Sequence, residues 1–283
     1  MERSTLASGT RAALVAAVAA LAMAHGAFAQ TPQPEPPDIA KECGDARVID
    51  TPLPNSASAI QQRKKIKILA IGASSAAVLG TGRGGTPPLL ERILERTIKG
   101  LDVEIINRGF SGELAEAAGE RLKVEVALNH PDIVLWQVGT NDAFAQVPVE
   151  TFQLSVSNTV RWLKSHKIDV ILVGLHYMKQ LAKDEHYQAI RASLRRVASA
   201  ENVLRIGRYE AMEVLSRTAQ ANGQLEPQDF GLSETSYNCM AQYIARTITV
   251  GVFARPPKAS PAPSQAPPPT SAPEPAPSPD PPK

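Results

Sequence analysis

The middle of the chain alternates between short apolar segments and longer amphipathic ones, and this alternation limits the fold more than any other feature. Ile66–Ile71 and Ile133–Gln137 consist almost entirely of β-branched and other apolar residues. Strands that are apolar on both faces, with amphipathic helices between them, are typical of a parallel sheet covered on both sides. With right-handed crossovers, the pattern predicts an α/β domain with a doubly wound, flavodoxin-like parallel sheet of five strands.

This pattern predicts the following elements. The strands are Ile66–Ile71, Val103–Asn107, Ile133–Gln137, Val170–Leu175 and Val203–Ile206. The helices are Pro88–Lys99, Glu113–Asn129, Val149–Lys167, Glu185–Ala200 and Ser233–Thr249. Doubly wound sheets bind their ligands at the carboxyl ends of the strands, so the loops after the first four strands are where a site is expected.

Both ends of the chain differ in composition from this middle part. Residues 1–29 contain Arg3 and Arg11, then an Ala-rich apolar stretch, then Ala27-Phe28-Ala29, which is the order of a secretory signal and its cleavage site. Residues 30–63 form a Pro-containing arm, residues 64–253 the α/β domain, and residues 254–283 a tail with 13 of the 24 prolines. The tail cannot bury a core, so we expect a disordered, extended segment that contacts the cell envelope.

The signal determines how the two cysteines are interpreted. It predicts a periplasmic or secreted protein without a membrane span once the signal is removed, because the apolar stretch Ala12–Ala24 is too short to cross a bilayer. In an oxidising compartment, Cys43 of the arm and Cys239 of the last predicted helix most simply form one disulfide. Two unpaired thiols are the alternative, with Cys239 as a small buried side chain.

Charge and motifs exclude several other functions. The net charge is +2 and no basic block with interleaved aromatics occurs, so no nucleic-acid partner is expected. Gly80–Gly85 fits Gly-x-Gly-x-x-Gly but begins well after the predicted strand has ended, which disfavours a dinucleotide site. The alternative is a Gly-rich loop over the site, with Arg83 available to an anionic group. No Walker loop is present and two cysteines cannot build a structural zinc site, so we expect neither a cofactor nor a metal.

Small and polar residues follow three of the predicted strands. Gly72–Ser75 comes after the first strand, Asn107–Glu113 includes the end of the second, and Gly139–Asp142 comes after the third. A serine at a strand-to-helix turn exposes its hydroxyl and its N–H at the rim of the sheet. A glycine N–H and an asparagine amide from the next loops can converge on it, which is the equipment for stabilising an oxyanion beside a nucleophile.

These three blocks resemble those of the SGNH/GDSL hydrolases, especially the secreted bacterial branch, from about Lys65 to Val250. The resemblance implies the doubly wound fold of that family. It implies that Ser74 is the nucleophile and that its own N–H is an oxyanion donor. It also implies Gly112 as a backbone donor and Asn141 as a side-chain donor.

The last block departs from the family pattern, which has an Asp and, three positions later, the His that acts as general base. Aligned without a gap, Gln228 stands in place of the Asp and Gly231 in place of the His, while Asp229 comes one position late. Ala73 likewise replaces the Asp of the first block. A substitute base has to come from another loop, and His176, after the fourth predicted strand, is the candidate. Asp229 is the candidate for a displaced acid.

Two functions remain open on the sequence. The first is an exported ester hydrolase of the esterase or O-deacetylase class, acting on a small ester or an O-acylated glycan with Ser74 as nucleophile. The second is a catalytically impaired SGNH-fold protein that uses the same donors to bind an acylated glycan or another ligand in the cell envelope. A base at the site would decide for the first, and a buried Gly231 with no imidazole nearby would decide for the second.

Overall fold

A computed structural model describes Cys43 and residues 51–72, 88–221 and 233–254. In chain order the elements are α1 (Pro54–Arg63), β1 (Lys65–Gly72), α2 (Leu89–Thr97), β2 (Asp102–Gly109), α3 (Ala115–Asn129), β3 (Ile133–Gln137), α4 (Thr140–Phe144), α5 (Val149–Ser165), β4 (Asp169–Val173), the 3-10 turn Lys179–Leu181, α6 (Glu185–Ala200), β5 (Leu204–Ile206), α7 (Arg208–Ala221) and α8 (Glu234–Phe253). Every predicted strand and helix is present, with ends that shift by at most four residues.

The strands form one sheet in the order β2-β1-β3-β4-β5, and all neighbouring pairs are parallel. This confirms the predicted doubly wound, flavodoxin-like sheet. The chain leaves β1 on one side to form β2 and returns to form β3 on its other side. The carboxyl ends of β1 and β3 therefore meet at the switch point where sheets of this kind bind ligands.

Successive residues of a strand enter two different cores, because helices cover both faces of the sheet. Ile68 of β1 packs on the face that is covered by α1, α2, α7 and α8, with Leu90 among its partners. Its neighbour Leu69 packs on the opposite face, with Leu122 of α3 and Val156 of α5. This explains why the strands are apolar at nearly every position instead of at alternate positions.

Helix α1 lies inside the stretch that the sequence interprets as a Pro-containing arm, and it packs against β1 and α8. Asp169, the first residue of β4, holds the start of this helix. Its carboxylate accepts hydrogen bonds from Asn55 Nδ2 at 2.8 Å, from Ser56 N at 2.8 Å and from Ser56 Oγ at 2.6 Å. Pro54 occupies the first turn, where a missing N–H removes no bond within the helix. The sequence does not predict this helix.

A disulfide joins Cys43 to Cys239 of α8, with the two Cα atoms 5.3 Å apart. The pairing predicted from the sequence is confirmed, and the alternative of two unpaired thiols is wrong. The hydroxyl of Tyr243, one turn further along α8, donates a hydrogen bond to the carbonyl oxygen of Cys43. Both contacts hold the chain before α1 against the last helix.

Several predicted features lie outside the described residues. They are the signal peptide, most of the arm before residue 51, the Gly80–Gly85 loop with Arg83, and the Pro-rich tail. Among the helices that the structure does describe, none is both long enough and apolar enough to cross a membrane.

Candidate active site

Strand β1 ends at Gly72, which approaches β3 so closely that no side chain fits. Its φ is +117°, and a Cβ at this position would stand 2.0 Å from the carbonyl oxygen of Gln137. Its own carbonyl oxygen accepts the N–H of Phe110 at 3.3 Å, which fixes the loop after β2. Three strand ends therefore meet around Gly72. Ser74, two residues further along the chain, lies outside the described residues.

Two side chains at the start of α4 hold the loop after β2. Asn141 Nδ2 donates to the carbonyl oxygen of Glu113 at 2.9 Å, and the Asp142 carboxylate accepts the N–H of Ala115 at 2.9 Å. Gly112, the residue before Glu113, has a φ of +79° and open space where a Cβ would lie. The structure therefore brings together Gly112 and Asn141, which the sequence predicts as oxyanion donors.

Backbone N–H groups surround the buried carboxyl group of Asp142. Burial raises the pKa of this carboxyl, and hydrogen bonds from the N–H groups of Ala115, Asp142 and Gly139 partly offset the rise. Ala115 is the first residue of α3, where a carboxylate satisfies an N–H that has no partner inside the helix. Sequence analysis does not assign this role to Asp142, although its place directly after Asn141 is a signal that could have indicated it.

An ion pair fixes the same loop from the side of α3. Arg121 Nε and Nη2 donate to the two carboxylate oxygens of Glu113 at 2.7 and 2.6 Å. The Glu113 side chain is only 6% exposed, so this bidentate pair has a fixed orientation. Glu113 thus contributes its carboxylate to Arg121 and its carbonyl oxygen to Asn141, which leaves the adjacent backbone of Gly112 little freedom.

His176 lies in the loop after β4, and its main chain is tied to the start of α4. Its N–H donates to Thr140 Oγ1 at 3.1 Å, and its carbonyl oxygen accepts the Tyr187 hydroxyl at 2.6 Å. Because Thr140 precedes Asn141, the structure places His176 on the same rim of the sheet as the donors. Its role as a substitute base stays a prediction.

The imidazole of His176 contacts a buried arginine that the sequence analysis does not single out. Arg208 Nη1 lies 2.9 Å from His176 Nε2. Burial and the positive charge of Arg208 hold the pKa of His176 well below 6.5. Burial also lowers the pKa of Arg208, to about 10, so its guanidinium is still charged at neutral pH. An imidazole in this position is a weak base.

Two exposed aromatic rings belong to residues that are neighbours of the proposed donors in the sequence. Phe110, in the loop after β2, is 63% exposed, and Phe144, at the end of α4, is 53% exposed. The Phe144 ring lies 6.2 Å from that of Tyr187, whose hydroxyl binds His176. Exposed rings beside a polar site offer a flat apolar surface to a ligand.

The structure locates three of the predicted site residues. Gly112 lies in the loop after β2, Asn141 at the start of α4 after β3, and His176 in the loop after β4. Asp229, the candidate displaced acid, lies in the stretch 222–232 outside the described residues, together with Gln228 and Gly231. Within the described ranges, no group of three His, Cys, Asp or Glu side chains is placed to hold a metal ion.

Comparison with known proteins adds the family. The sequence model of the Non-GDSL lipase-like family matches residues 43–254. The chain belongs to this family. The match confirms the resemblance to the SGNH/GDSL hydrolases, and the name of the family fits a first block in which Ala73 stands where a GDSL protein has Asp. The matched range also includes Cys43 and α1, which precede the region of resemblance seen in the sequence.

Solved lipase and esterase structures share the fold of this Non-GDSL lipase-like protein. A lipase/acylhydrolase from Enterococcus faecalis is 25% identical, with 65% of this chain and 95% of that chain covered and a TM-score of 0.51. A protein described as a GDSL-like lipase, from Parabacteroides merdae, is 17% identical over 65% and 96% of the two chains, with a TM-score of 0.55. A catalytic mutant of an acetylxylan esterase from Geobacillus stearothermophilus is 20% identical over 65% and 94%, with a TM-score of 0.51. The last two likenesses show the fold alone. No curated protein matches the sequence.

Proposed function

We propose that this protein is an exported hydrolase of ester bonds, of the esterase or O-deacetylase class, with Ser74 as its nucleophile. The observation that carries the proposal is the 2.9 Å hydrogen bond from Asn141 Nδ2 to the Glu113 carbonyl oxygen, which holds Gly112 and Asn141 together at the switch point. Ser74 follows two residues after Gly72, the end of β1 at this point. Membership of a lipase-like family supports the reaction type.

In this mechanism the Ser74 hydroxyl attacks the carbonyl carbon of an ester and gives up its proton to a base or to hydroxide. The resulting oxyanion accepts hydrogen bonds from the N–H groups of Ser74 and Gly112 and from the second N–H of the Asn141 amide, since Glu113 uses the first. Collapse of this intermediate breaks the bond to the alkoxide, which takes a proton from water or from the protonated base, and leaves acyl-Ser74. Water then hydrolyses this ester to the free acid and restores the Ser74 hydroxyl. One such donor is worth about 10²–10³-fold in kcat.

The surroundings of the donors support a small ester or an O-acylated glycan as substrate. Phe110 and Phe144 are both exposed, and rings of this kind stack on sugar faces or cover a short acyl chain. The Geobacillus stearothermophilus protein that shares the fold is an acetylxylan esterase. These observations favour a short acyl group on a carbohydrate.

A periplasmic or secreted location is supported by the disulfide between Cys43 and Cys239, because such bonds persist in oxidising compartments. The signal sequence predicted in residues 1–29 supports the same location. There the Pro-rich tail would contact the cell envelope, and the site would be exposed to acylated glycans outside the cytoplasm.

A second function is favoured by the lack of a free imidazole at the position of the general base. Gly231 stands where the family has its His, and His176 Nε2 is already in contact with Arg208. A protein with the donors but without a base would bind an acylated glycan or another ligand in the cell envelope without hydrolysing it. The Gly112–Asn141 arrangement serves either function, so the chemistry of Ser74 distinguishes the two.

Ester cleavage by the mature protein tests the proposal. p-Nitrophenyl acetate is mixed with the chain from residue 30 onward, with Ser74→Ala and with the matched control Ser75→Ala, and the release of p-nitrophenol is followed from the earliest time points. We expect a burst or turnover in the wild-type and Ser75→Ala proteins and only the background rate in Ser74→Ala.

Equal background rates in all three proteins would exclude the hydrolase and leave the binding function. Titration of the wild-type protein with an acetylated xylooligosaccharide then tests that function. Binding that is weakened by Asn141→Ala would support it, and the absence of binding would remove it as well.

A further inference from the structure

The contact between Arg208 and His176 determines which nitrogen of the imidazole carries the hydrogen. A guanidinium has only N–H donors, so His176 Nε2, 2.9 Å from Arg208 Nη1, has to be the acceptor. In a neutral imidazole one ring nitrogen accepts and the other carries the hydrogen. The hydrogen of His176 is therefore on Nδ1.

His176 also connects three helices at the carboxyl edge of the sheet. Its N–H donates to Oγ1 of Thr140, the first residue of α4, and its carbonyl oxygen accepts the Tyr187 hydroxyl of α6. Its ring accepts a hydrogen bond from Arg208, which is the first residue of α7 and follows the end of β5 by two residues. Because Thr140 precedes Asn141, these contacts reach the residue that is the proposed side-chain donor.

The surroundings of the ring oppose a second positive charge. Arg208 is fully buried and His176 is 7% exposed, so water hardly screens the two groups from each other. The nearby hydroxyls of Tyr187 and Tyr209 carry no compensating negative charge at neutral pH, because burial raises the pKa of both. The cation Arg191 lies over the Tyr209 ring, 3.9 Å from its centroid, but it is paired with Glu210 at 3.2 Å, so this pair adds no net charge on this side.

We infer that His176 is a positioning residue, a neutral imidazole that Arg208 holds in its Nδ1–H form, and that it is not the base that activates Ser74. The inference concerns the site of the proposed hydrolase and depends on that function only for its kinetic test. To take the serine proton at Nε2, the ring would have to release Arg208. Nδ1 cannot take the proton, because it already carries a hydrogen.

Nuclear magnetic resonance of the mature protein tests the tautomer directly. With nitrogen-15 histidine, two-bond correlations between ring hydrogens and nitrogens distinguish the Nδ1–H from the Nε2–H form. His176→Gln identifies the signal among the four histidines after residue 29. We expect the Nδ1–H pattern to persist from about pH 6 to 9 without titration.

Two arginine variants test whether Arg208 keeps the imidazole of His176 neutral, with its hydrogen on Nδ1. Arg208→Met should release the ring, so that the His176 signal shows exchange between tautomers and titrates at higher pH than in the wild-type protein. The matched control is Arg205→Met. Arg205 lies in β5, the edge strand that precedes Arg208, and its Nη1 is 3.5 Å from Glu210 Oε2. This variant should leave the His176 signal unchanged.

Two substitutions of His176 separate positioning from base catalysis. Gln offers Arg208 an acceptor oxygen but cannot take up a proton, whereas Phe keeps an aromatic ring and has no acceptor. We expect His176→Gln to keep the Ser74-dependent rate within about threefold and His176→Phe to lose most of it.

An Nε2–H signal, a His176 that titrates at about pH 6 to 7, or a loss of about 10²–10⁴-fold in a folded His176→Gln protein would overturn the inference. The wild-type spectrum decides it even where Arg208→Met does not fold. The wild-type spectrum also tests the inference where Ser74 gives no turnover, so the failure of this inference and the failure of the proposed hydrolase are distinguishable.

Discussion

Among single residues, Asn141 contributes to the site in two ways. One N–H of its amide holds the Glu113 carbonyl oxygen at 2.9 Å, and this hydrogen bond orients the second N–H, which is the proposed oxyanion donor. A donor that is already oriented stabilises a transition state better than one that has to turn during the reaction. We therefore expect Asn141 to matter for activity more than for stability.

Asn141→Ala should lower kcat for p-nitrophenyl acetate by about 10²–10³-fold, while the free energy of unfolding falls by about 1 kcal/mol for the lost hydrogen bond. Asn129→Ala is the matched control, because Asn129 Nδ2 also donates to a backbone carbonyl oxygen, that of Glu125, at 2.8 Å. Asn129 lies at the other end of α3, so its loss should cost similar stability and no activity. Steady-state kinetics and urea unfolding measure both effects, and an equal fall of kcat in the two variants would refute the donor role.

Gly112 and Asn141 can be found from the sequence, because a glycine and an asparagine that follow strands are the residue types that an oxyanion site uses. The sequence does not indicate Arg208, which looks like an ordinary surface cation at the start of a helix. The burial of Arg208 depends on how α7 packs beside the loop after β4, and its partner His176 is 32 residues away. Contacts of this kind leave no local pattern in the chain.

Among the elements, the pairing of β1 with β3 depends on one glycine. Gly72 has a φ of +117°, and its missing Cβ would stand 2.0 Å from the Gln137 carbonyl oxygen. That oxygen belongs to the backbone of a central strand, so it cannot move aside without disturbing the sheet. Since the candidate site forms where these two strands end, the close approach also determines the geometry of the site.

Gly72→Ala should lower the free energy of unfolding by more than about 3 kcal/mol, because backbone strain and a clash with backbone add together. Gly100→Ala is the matched control: Gly100 also has a positive φ, +76°, but nothing lies within 4 Å of a Cβ there. Its strain alone should cost about 1 kcal/mol. Urea unfolding compares the two, and small, equal losses would show that β1 and β3 tolerate separation at Gly72.

The longer elements are predicted well because hydrophobic spacing records which side of each element is buried. Helix α4 is not predicted, since it has only five residues and its conformation depends on contacts of Thr140 and Asp142 with other loops. Helix α1 begins at Pro54 in a polar stretch and is fixed by Asp169, 113 residues from Ser56. For such short or polar elements, tertiary contacts decide the structure and local sequence does not.

In the molecule as a whole, the disulfide joins the part of the chain that precedes the sheet to the last helix. Cys43 and Cys239 are separated by 196 residues, so the cross-link encloses all the strands of the sheet. Closing so long a loop in the unfolded chain removes conformational entropy worth on the order of 5 kcal/mol in the simplest model. The N–H of Leu53, which donates to the Gly251 carbonyl oxygen at 2.9 Å, adds a non-covalent link between the same two regions.

The double variant Cys43→Ala/Cys239→Ala should therefore lose about 2–5 kcal/mol of unfolding free energy, with a lower Tm, in urea and thermal unfolding experiments. Below the unfolding transition its kinetic constants should match those of the wild-type protein. The reason is that Cys239 lies in α8 and Cys43 precedes α1, whereas the site is built from the loops after β1 to β4.

Dithiothreitol separates the covalent effect from the packing effect of the two side chains. Reductant should bring the wild-type protein to the stability of the double variant and should not change the double variant. Tyr243→Phe removes only the hydrogen bond to the Cys43 carbonyl oxygen, so it should cost about 1 kcal/mol and leave the protein sensitive to reductant. If the double variant were as stable as the wild-type protein, the non-covalent contacts between α8 and the chain before α1 would have to hold these regions together by themselves. The cross-link would then contribute nothing to the stability of the domain.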